Sequence, residues 1–306
     1  MTKNKAHAYV MSLTPFNEVG DLDEEGFRKH LRRMAGAGVG LYVAGSGSGE
    51  AHTYRTGEME RVLSIAKEEV PENIRLYMNG FEPRDSGGMA RVASFAHGIG
   101  YQGIQVPGPD VGHGYKPSDR EIREYYSEVL ATGAPIILMS HGHLGYLVPL
   151  PALEWLVNEH KNIVGINCAT NDSKYLAAAI KIAGQRSLPF CVGGPELAFN
   201  AFCLGATGFL TTHGNLAPRL AVAFADAFSI GDFERFVKMC EMMLKLAVAN
   251  SKFSNIVGIK AALRAYRLPG GWPRSPRLSP PDQNITQFLD ELDEIGVSRL
   301  EGFTRS

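Results

Sequence analysis

Short apolar and β-branched runs alternate along the chain with segments whose apolar residues recur at a helical period. Strands separated in this way pair in parallel, because each crossover needs a helix. Eight such units close into a barrel better than they form an open sheet, so the pattern predicts a (β/α)8 TIM barrel of the α/β class. The predicted strands are Ala8–Leu13, Gly40–Ala44, Arg75–Met78, Gly103–Val106, Pro135–Met139, Ile163–Cys168, Phe190–Val192 and Gly208–Thr212.

Polar residues mark where two of the predicted helices begin. Ser118 and Asp119 can cap the helix of Asp119–Ala131, and Asp172 or Ser173 can cap the helix after the sixth strand. Side-chain oxygens of these residue types accept hydrogen bonds from the first N–H groups of a helix. The caps therefore support the boundaries that the apolar period predicts.

The last part of the chain adds helices beyond the eight units. Helical segments and one Pro/Gly-rich link follow the eighth strand, namely Asp232–Ala249, Phe253–Tyr266, the link Leu268–Pro281 and a helix near Asn284–Ile295. This part is too poor in core residues to form a domain alone. We therefore predict a barrel over residues 1–230 and a C-terminal helical extension, residues 231–306, that packs on it.

Composition and charge exclude several classes of protein. The chain has 306 residues, 44% of them hydrophobic and 21% charged, with a net charge of −1. This balance is typical of a soluble globular protein and offers no basic surplus for nucleic acid or an anionic membrane. No apolar run approaches the ~20 residues that span a bilayer, and Met1–Ala8 lacks the apolar core of a signal peptide. We therefore expect a cytoplasmic location and neither a nucleic-acid nor a membrane partner.

The four cysteines do not form a recognisable site. Cys168, Cys191, Cys203 and Cys240 show neither C-x-x-C pairing nor zinc-ligand spacing. We expect reduced, small core residues. A catalytic role for Cys168, near the end of a strand, is the alternative, but no neighbour in sequence would lower the pKa of its thiol.

Six motifs follow one another in the order and spacing of a known family. They are Thr14-Pro15-Phe16, AGSGSGE at residues 44–50, Pro135–Leu138, IVGINCATND at residues 163–172, Gly208–Pro218 with its Asn-x-x-Pro, and GIKAALRAYRLPGGWPRSPRL at residues 258–278. On these motifs the chain resembles the N-acetylneuraminate lyase / dihydrodipicolinate synthase family over residues 9–300. The resemblance implies a lyase built on a TIM barrel.

The chain departs from that family at the residues on which its chemistry depends. The family holds a 2-oxo acid, usually pyruvate, as a Schiff base on a lysine that ends the sixth strand, and a tyrosine that ends the fifth strand relays protons. Asn167 stands at the lysine position and Met139 at the tyrosine position. Because an amide nitrogen is not nucleophilic and a thioether moves no proton, we expect no Schiff-base chemistry. Lys116 and Lys174 are the lysines we place near the strand ends, and we expect both to point to solvent.

The loop after the second strand is a candidate anion site. The resemblance places Gly47 and Ser48 where the family has two threonines, so one of the two hydroxyls is kept. Ser48 and the backbone N–H groups of Gly47, Ser48 and Gly49 can bind the carboxylate of a small-molecule substrate. The alternative is that these glycines only permit a tight turn.

Histidines lie near the positions where the family has its lysine and tyrosine. His141 and His143 follow the predicted fifth strand, and a histidine titrates near neutral pH. We predict that His141 or His143 acts as acid or base on a small 2-oxo or hydroxy acid that Ser48 and Asn167 bind. Met139, Ser140 and His213 complete the predicted substrate contacts, and His52 and His113 lie on loops that we place at the same end of the barrel.

Two other functions remain open. Metal-assisted catalysis is one, since a His-x-His pair with a third histidine fits a metal site. Glu50 and Asp110 would then add oxygen ligands, although for Glu50 we favour a role in fixing its loop. The other is a non-catalytic protein that kept the fold as a ligand-binding or oligomeric member. Apart from such a metal, we expect no cofactor.

The resemblance also implies an oligomer. The family forms tetramers built from dimers, so we expect a homotetramer or a homodimer. The segment Pro109–Tyr115 departs from the family's pattern, and the dimer contacts are therefore left open.

Overall fold

The computed structural model describes residues 5–80, 85–109, 114–254 and 256–305. Its strands form a closed barrel in chain order, which confirms the predicted TIM barrel. The pairings of the first strand with the second, and of each strand from the third to the sixth with the next, are parallel. The strands are β1 His7–Met11, β2 Gly40–Val43, β3 Leu76–Asn79, β4 Gly103–Val106, β5 Ile136–His141, β6 Ile163–Ala169, β7 Phe190–Gly193 and β8 Gly208–Thr211.

Helices separate the strands and continue beyond the last one. The helices between and directly after the strands are α1 Glu24–Ala37, α2 Glu58–Glu69, α3 Ser86–Gly98, α4 Asp119–Leu130, α5 Leu150–Glu159, α6 Ser173–Gly184, α7 Pro195–Leu204 and α8 Pro218–Ile230. The C-terminal helices are α9 Phe233–Asn250, α10 Ile256–Ala265, α11 Asp282–Ile295 and α12 Val297–Glu301. In the part of the chain that the structure describes, no helix combines the length and apolar character needed to cross a bilayer. The domain boundary at residue 230 stays a prediction.

The chain divides into two compact units, Met1–Leu76 with Leu210–Ser306, and Tyr77–Phe209. In the first unit the rings of Phe224 and Phe236 stack at 4.7 Å and hold α9 against α8. In the second unit Tyr126 of α4 is fully buried, and its hydroxyl donates to the backbone carbonyls of Val106 and Met139. Each unit thus has a core of its own.

Two strands end at other residues than predicted. β5 continues to His141, because its pairing with β6 extends through Ser140–Cys168 and His141–Ala169. His141 therefore lies on the strand and does not follow it. β8 stops at Thr211, whose hydroxyl accepts a hydrogen bond from the N–H of His213 and starts a 3₁₀ turn. His213 consequently lies in that turn.

The cap of α6 gives a test of the sequence prediction. Asp172 is the cap, and its carboxylate accepts from the N–H groups of Lys174 and Tyr175 at 2.9 and 3.1 Å. We expect Asp172→Ala to lower the free energy of unfolding by about 1 kcal/mol. Ser173→Ala is the matched control, since Ser173 lies in the first turn and should change stability by less than about 0.5 kcal/mol. Urea unfolding would measure both, and equal losses would contradict the assignment.

Candidate functional site

Four buried side chains meet inside the second unit, at the carboxyl ends of β3 to β6. They are Asn79, Gln105, Met139 and Asn167, each at most 7% exposed. Asn79 is in register with Gln105, and Met139 with Asn167. Residues in register on neighbouring strands share a face of the sheet, so all four project to the same side. In TIM-barrel enzymes this end of the strands carries the chemistry.

Hydrogen bonds link the three amides into a chain. Gln105 lies at its centre and donates through Nε2 to Oδ1 of Asn79 at 2.6 Å and to the sulfur of Met139 at 3.3 Å. Its Oε1 accepts from Nδ2 of Asn167 at 2.6 Å. The side-chain nitrogen of Asn167 therefore donates to Gln105, and residue 167 provides an amide and not an amine.

Sequence reasoning missed Asn79 and Gln105. The signal was present, since each is a single polar residue in the short apolar strands LYMN and GIQV. A polar group on a fully buried strand is expected to have a hydrogen-bonding partner or a ligand. Asn79 and Gln105 are 26 residues apart in the chain, and Gln105 and Asn167 are 62 residues apart. The pattern of a single strand does not reveal partners at such distances.

Two polar atoms at this cluster lack a partner among the described residues. They are Oδ1 of Asn167 and Nε2 of His141, and both are buried. Burial, and to a lesser extent the nearby His143, lowers the pKa of His141 to about 4, against the opposing effect of the Asn167 side chain. His141 is consequently a neutral imidazole at physiological pH.

The residues beside His141 have different surroundings. His143 is exposed in the 3₁₀ turn Gly142–Leu144, and its ring lies edge-on to that of His141 at 5.2 Å. Ser140 projects to the other side of β5, where its hydroxyl bonds Tyr175 at 2.8 Å and accepts from the N–H of Val148 at 3.1 Å. The predicted substrate contact through Ser140 thus falls on a hydroxyl that already has two protein partners.

The candidate anion loop lies in the first unit. Ser48 is fully buried, and its hydroxyl lies 2.9 Å from that of Thr212. A Cβ on Gly49 would approach the carbonyl oxygen of Gly45 to 2.7 Å, so the tight turn at this point requires glycine. Turn geometry therefore accounts for Gly49, whereas the buried hydroxyl pair accounts for Ser48.

Glu50 ends this loop and is held by a buried lysine that sequence reasoning did not place there. Lys260 of α10 forms an ion pair with Glu50, and both side chains are fully buried. The ammonium also donates to the carbonyls of Thr14 and Trp272 at 2.8 and 2.9 Å. Burial lowers the pKa of Lys260 to about 8, against the opposing effect of Glu50. Glu50 thus fixes its loop to α10, as the sequence had favoured.

The lysines and the cysteine named from the sequence do not supply a nucleophile. Lys116 and Lys174 are exposed, as predicted. All three N–H donors of Lys260 are used by its three acceptors. Burial raises the pKa of the Cys168 thiol to about 12, so it stays protonated.

The other histidines named from the sequence have different surroundings. In the first unit His213 is half-buried, and burial lowers its pKa to about 4. His52 is exposed, with Nδ1 at 2.9 Å from the carbonyl of Ser46. His113 and Asp110 lie outside the described residues. Within the described ranges, no group of three or more His, Cys, Asp or Glu side chains could hold a metal ion.

Comparison with known proteins supports the same assignment as the motifs. The model of the dihydrodipicolinate synthetase family matches residues 5–294. The 4-hydroxy-tetrahydrodipicolinate synthases of Methanothrix thermoacetophila and Methanopyrus kandleri are 23% and 25% identical to this chain, covering 92% and 93% of it and 94% of each relative. The crystal structure of dihydrodipicolinate synthase from Thermotoga maritima superposes with a TM-score of 0.86 at 22% identity, covering 97% of this chain and 100% of that one, which shows the same fold. The chain therefore belongs to the dihydrodipicolinate synthetase family.

Proposed function

We propose that this protein is a lyase-type enzyme that binds a small 2-oxo or hydroxy acid without forming a Schiff base. One observation carries the proposal. Asn167 stands where the family's motif has its lysine, is fully buried, and donates its nitrogen to Gln105. An amide engaged in this way is neither basic nor nucleophilic, so a carbonyl substrate has no amine to attack it at this position.

Acid and base chemistry is assigned to histidine. His141 is neutral above about pH 4, so at physiological pH its imidazole has one N–H group that can donate to the bound acid and one ring nitrogen that can accept a proton. His143 is exposed and 5.2 Å from it between ring centroids, which suits proton exchange with solvent. Such a pair supports an enolisation, a dehydration or a retro-aldol step. Asn167 would bind the substrate through its free oxygen.

The other predicted contacts complete the proposal. Met139 is the site's apolar wall beside Asn167, and Ser140 holds the strand end in place. Substrate binding by Gly47, Ser48 and Gly49, and by His213, stays a prediction from the sequence. Oligomeric state, cytoplasmic location and the expectation that no cofactor is needed stay predictions.

Reductive trapping tests the proposal. We expect that borohydride added with pyruvate leaves the intact mass of the protein unchanged, because Asn167, at the family's lysine position, has no amine with which to form an imine. A relative that carries the lysine, treated in parallel, provides the positive control. A stable pyruvate adduct on any lysine, located by peptide mapping, would refute the claim that imine chemistry has been lost.

A further inference from the structure

The direction of the amide chain is fixed by Met139. A thioether sulfur accepts hydrogen bonds and donates none. The sulfur of Met139 lies 3.3 Å from Nε2 of Gln105, so the nitrogen end of that amide must face the sulfur and Asn79. The oxygen end of Gln105 then faces Asn167, and Asn167 must turn its own nitrogen toward it.

An acceptor is left over at the end of this chain. Because Nδ2 of Asn167 is bound to Gln105, Oδ1 points away from the chain. The side chain is fully buried, and Oδ1 has no partner in the described part of the protein. A buried acceptor without a donor costs about 1–3 kcal/mol, which a ligand that supplies the donor would recover.

The second unpaired atom lies on the neighbouring strand. His141 is two residues beyond Met139 on β5 and therefore projects to the same side. Met139 is itself in register with Asn167, so the ring of His141 and the amide of Asn167 share one face. Nε2 of His141 is buried and unpaired within the described residues, and a neutral imidazole can carry its proton on this nitrogen.

We propose that Asn167 and His141 together recognise a hydroxyl group, so that the substrate class is a small 2-hydroxy acid and not a 2-oxo acid. A hydroxyl donates to Oδ1 of Asn167 and accepts from Nε2–H of His141, and both unpaired atoms are satisfied at once. A keto oxygen only accepts, and would leave Oδ1 facing a second acceptor. This inference rests on the proposed function, since it assigns the substrate of the same site.

Calorimetric titration of the whole protein tests the inference, with each enantiomer of lactate and with pyruvate as probes. We expect one lactate enantiomer to bind at least about tenfold more tightly than pyruvate, a difference of about 1.4 kcal/mol. Asn167→Leu and His141→Phe should each remove this preference by weakening lactate binding. Asn158→Leu, a change of an exposed amide on α5, is the matched control and should keep it. Circular dichroism would show whether each variant is folded. If Asn167→Leu does not fold, His141→Phe still tests the inference, because phenylalanine keeps an aromatic ring at this position.

The outcomes separate this inference from the proposed function. Pyruvate binding as tightly as lactate, or a preference that survives in both site variants, would overturn the hydroxyl assignment while leaving the acid-binding site intact. Failure of both acids to bind would overturn the hydroxyl assignment and the proposed function together. A pyruvate adduct after borohydride treatment would contradict the proposed function without testing the hydroxyl assignment.

Discussion

Replacing Lys260 by methionine should lower the free energy of unfolding by about 3–5 kcal/mol, the usual cost of removing one partner of a buried ion pair. Lys260 and Glu50 are both fully buried, so the variant leaves the carboxylate of Glu50 in the interior without its main counter-charge. The nearest other cation is Arg277, whose guanidinium lies 3.5 Å from Glu50. The carbonyls of Thr14 and Trp272 lose their donor as well.

A second lysine in an exposed ion pair provides the control. Lys252 pairs with Glu291 on the surface, with 49% of the lysine side chain exposed. Exposed pairs contribute about 0–1 kcal/mol, so Lys252→Met should have a small effect. Urea unfolding monitored by circular dichroism would compare the midpoints at a constant slope. If the two variants lost equal stability, the network around Glu50 would not hold the loop.

Acid should destabilise the protein through His30, by about 2–3 kcal/mol between neutral pH and about pH 4.5. His30 is fully buried on α1, and its Nε2 lies 3.0 Å from Oδ1 of Asn215. The amide nitrogen of Asn215 donates to the carbonyls of Met11 and Thr212, so its Oδ1 is the acceptor and His30 the donor. Nδ1 of His30 is then the unprotonated ring nitrogen, and it is buried without a partner in the described residues.

The direction of the effect follows from the pKa. Burial, and to a lesser extent the positive charge of Arg33, lowers the pKa of His30 from 6.5 to about 3. Below pH 6.5 the imidazole of His30 binds a proton in the unfolded chain but not in the folded protein. Stability is therefore retained above pH 6.5 and lost as the pH falls toward 3. The buried or half-buried His7, His141 and His213 act in the same direction, each with a pKa of about 4.

His30→Gln separates the contribution of this residue. Glutamine can still donate to Asn215 but takes up no proton, so the variant should lose about 2–3 kcal/mol less than the wild type over the same pH range. Urea unfolding at about pH 7 and about pH 4.5 would measure both proteins. Parallel losses in the two proteins would show that other groups cause the acid sensitivity.

Most of the fold could be predicted because local pattern and tertiary structure agree. Buried parallel strands are continuous apolar runs, and runs such as Gly103–Val106 and Ile163–Cys168 are found within one residue of the observed strands. The ends of strands were harder to predict where pairing with a neighbouring strand determines them. Ser140 and His141 carry no strand signal of their own, and they are extended because β6 continues beside them to Ala169.

The candidate site was predictable only in part. Asn167, Met139 and His141 were found because they stand at motif positions at the ends of strands. Gln105 was not, although it contacts Asn79, Met139 and Asn167, since its partners come from three other strands. Lys260 was missed for the same reason, because 210 residues separate it from Glu50.

The sequence by itself determined the barrel, the order of its units, and the absence of lysine at residue 167. These features depend on residue identity and on the local period of apolar positions, which one chain displays directly. Only the tertiary structure decided which atoms at the site are satisfied and which are free. Hydrogen-bond direction depends on partners brought together from distant strands, and for that reason Oδ1 of Asn167 and Nε2 of His141 emerged as the unpaired atoms only once the strands were in register.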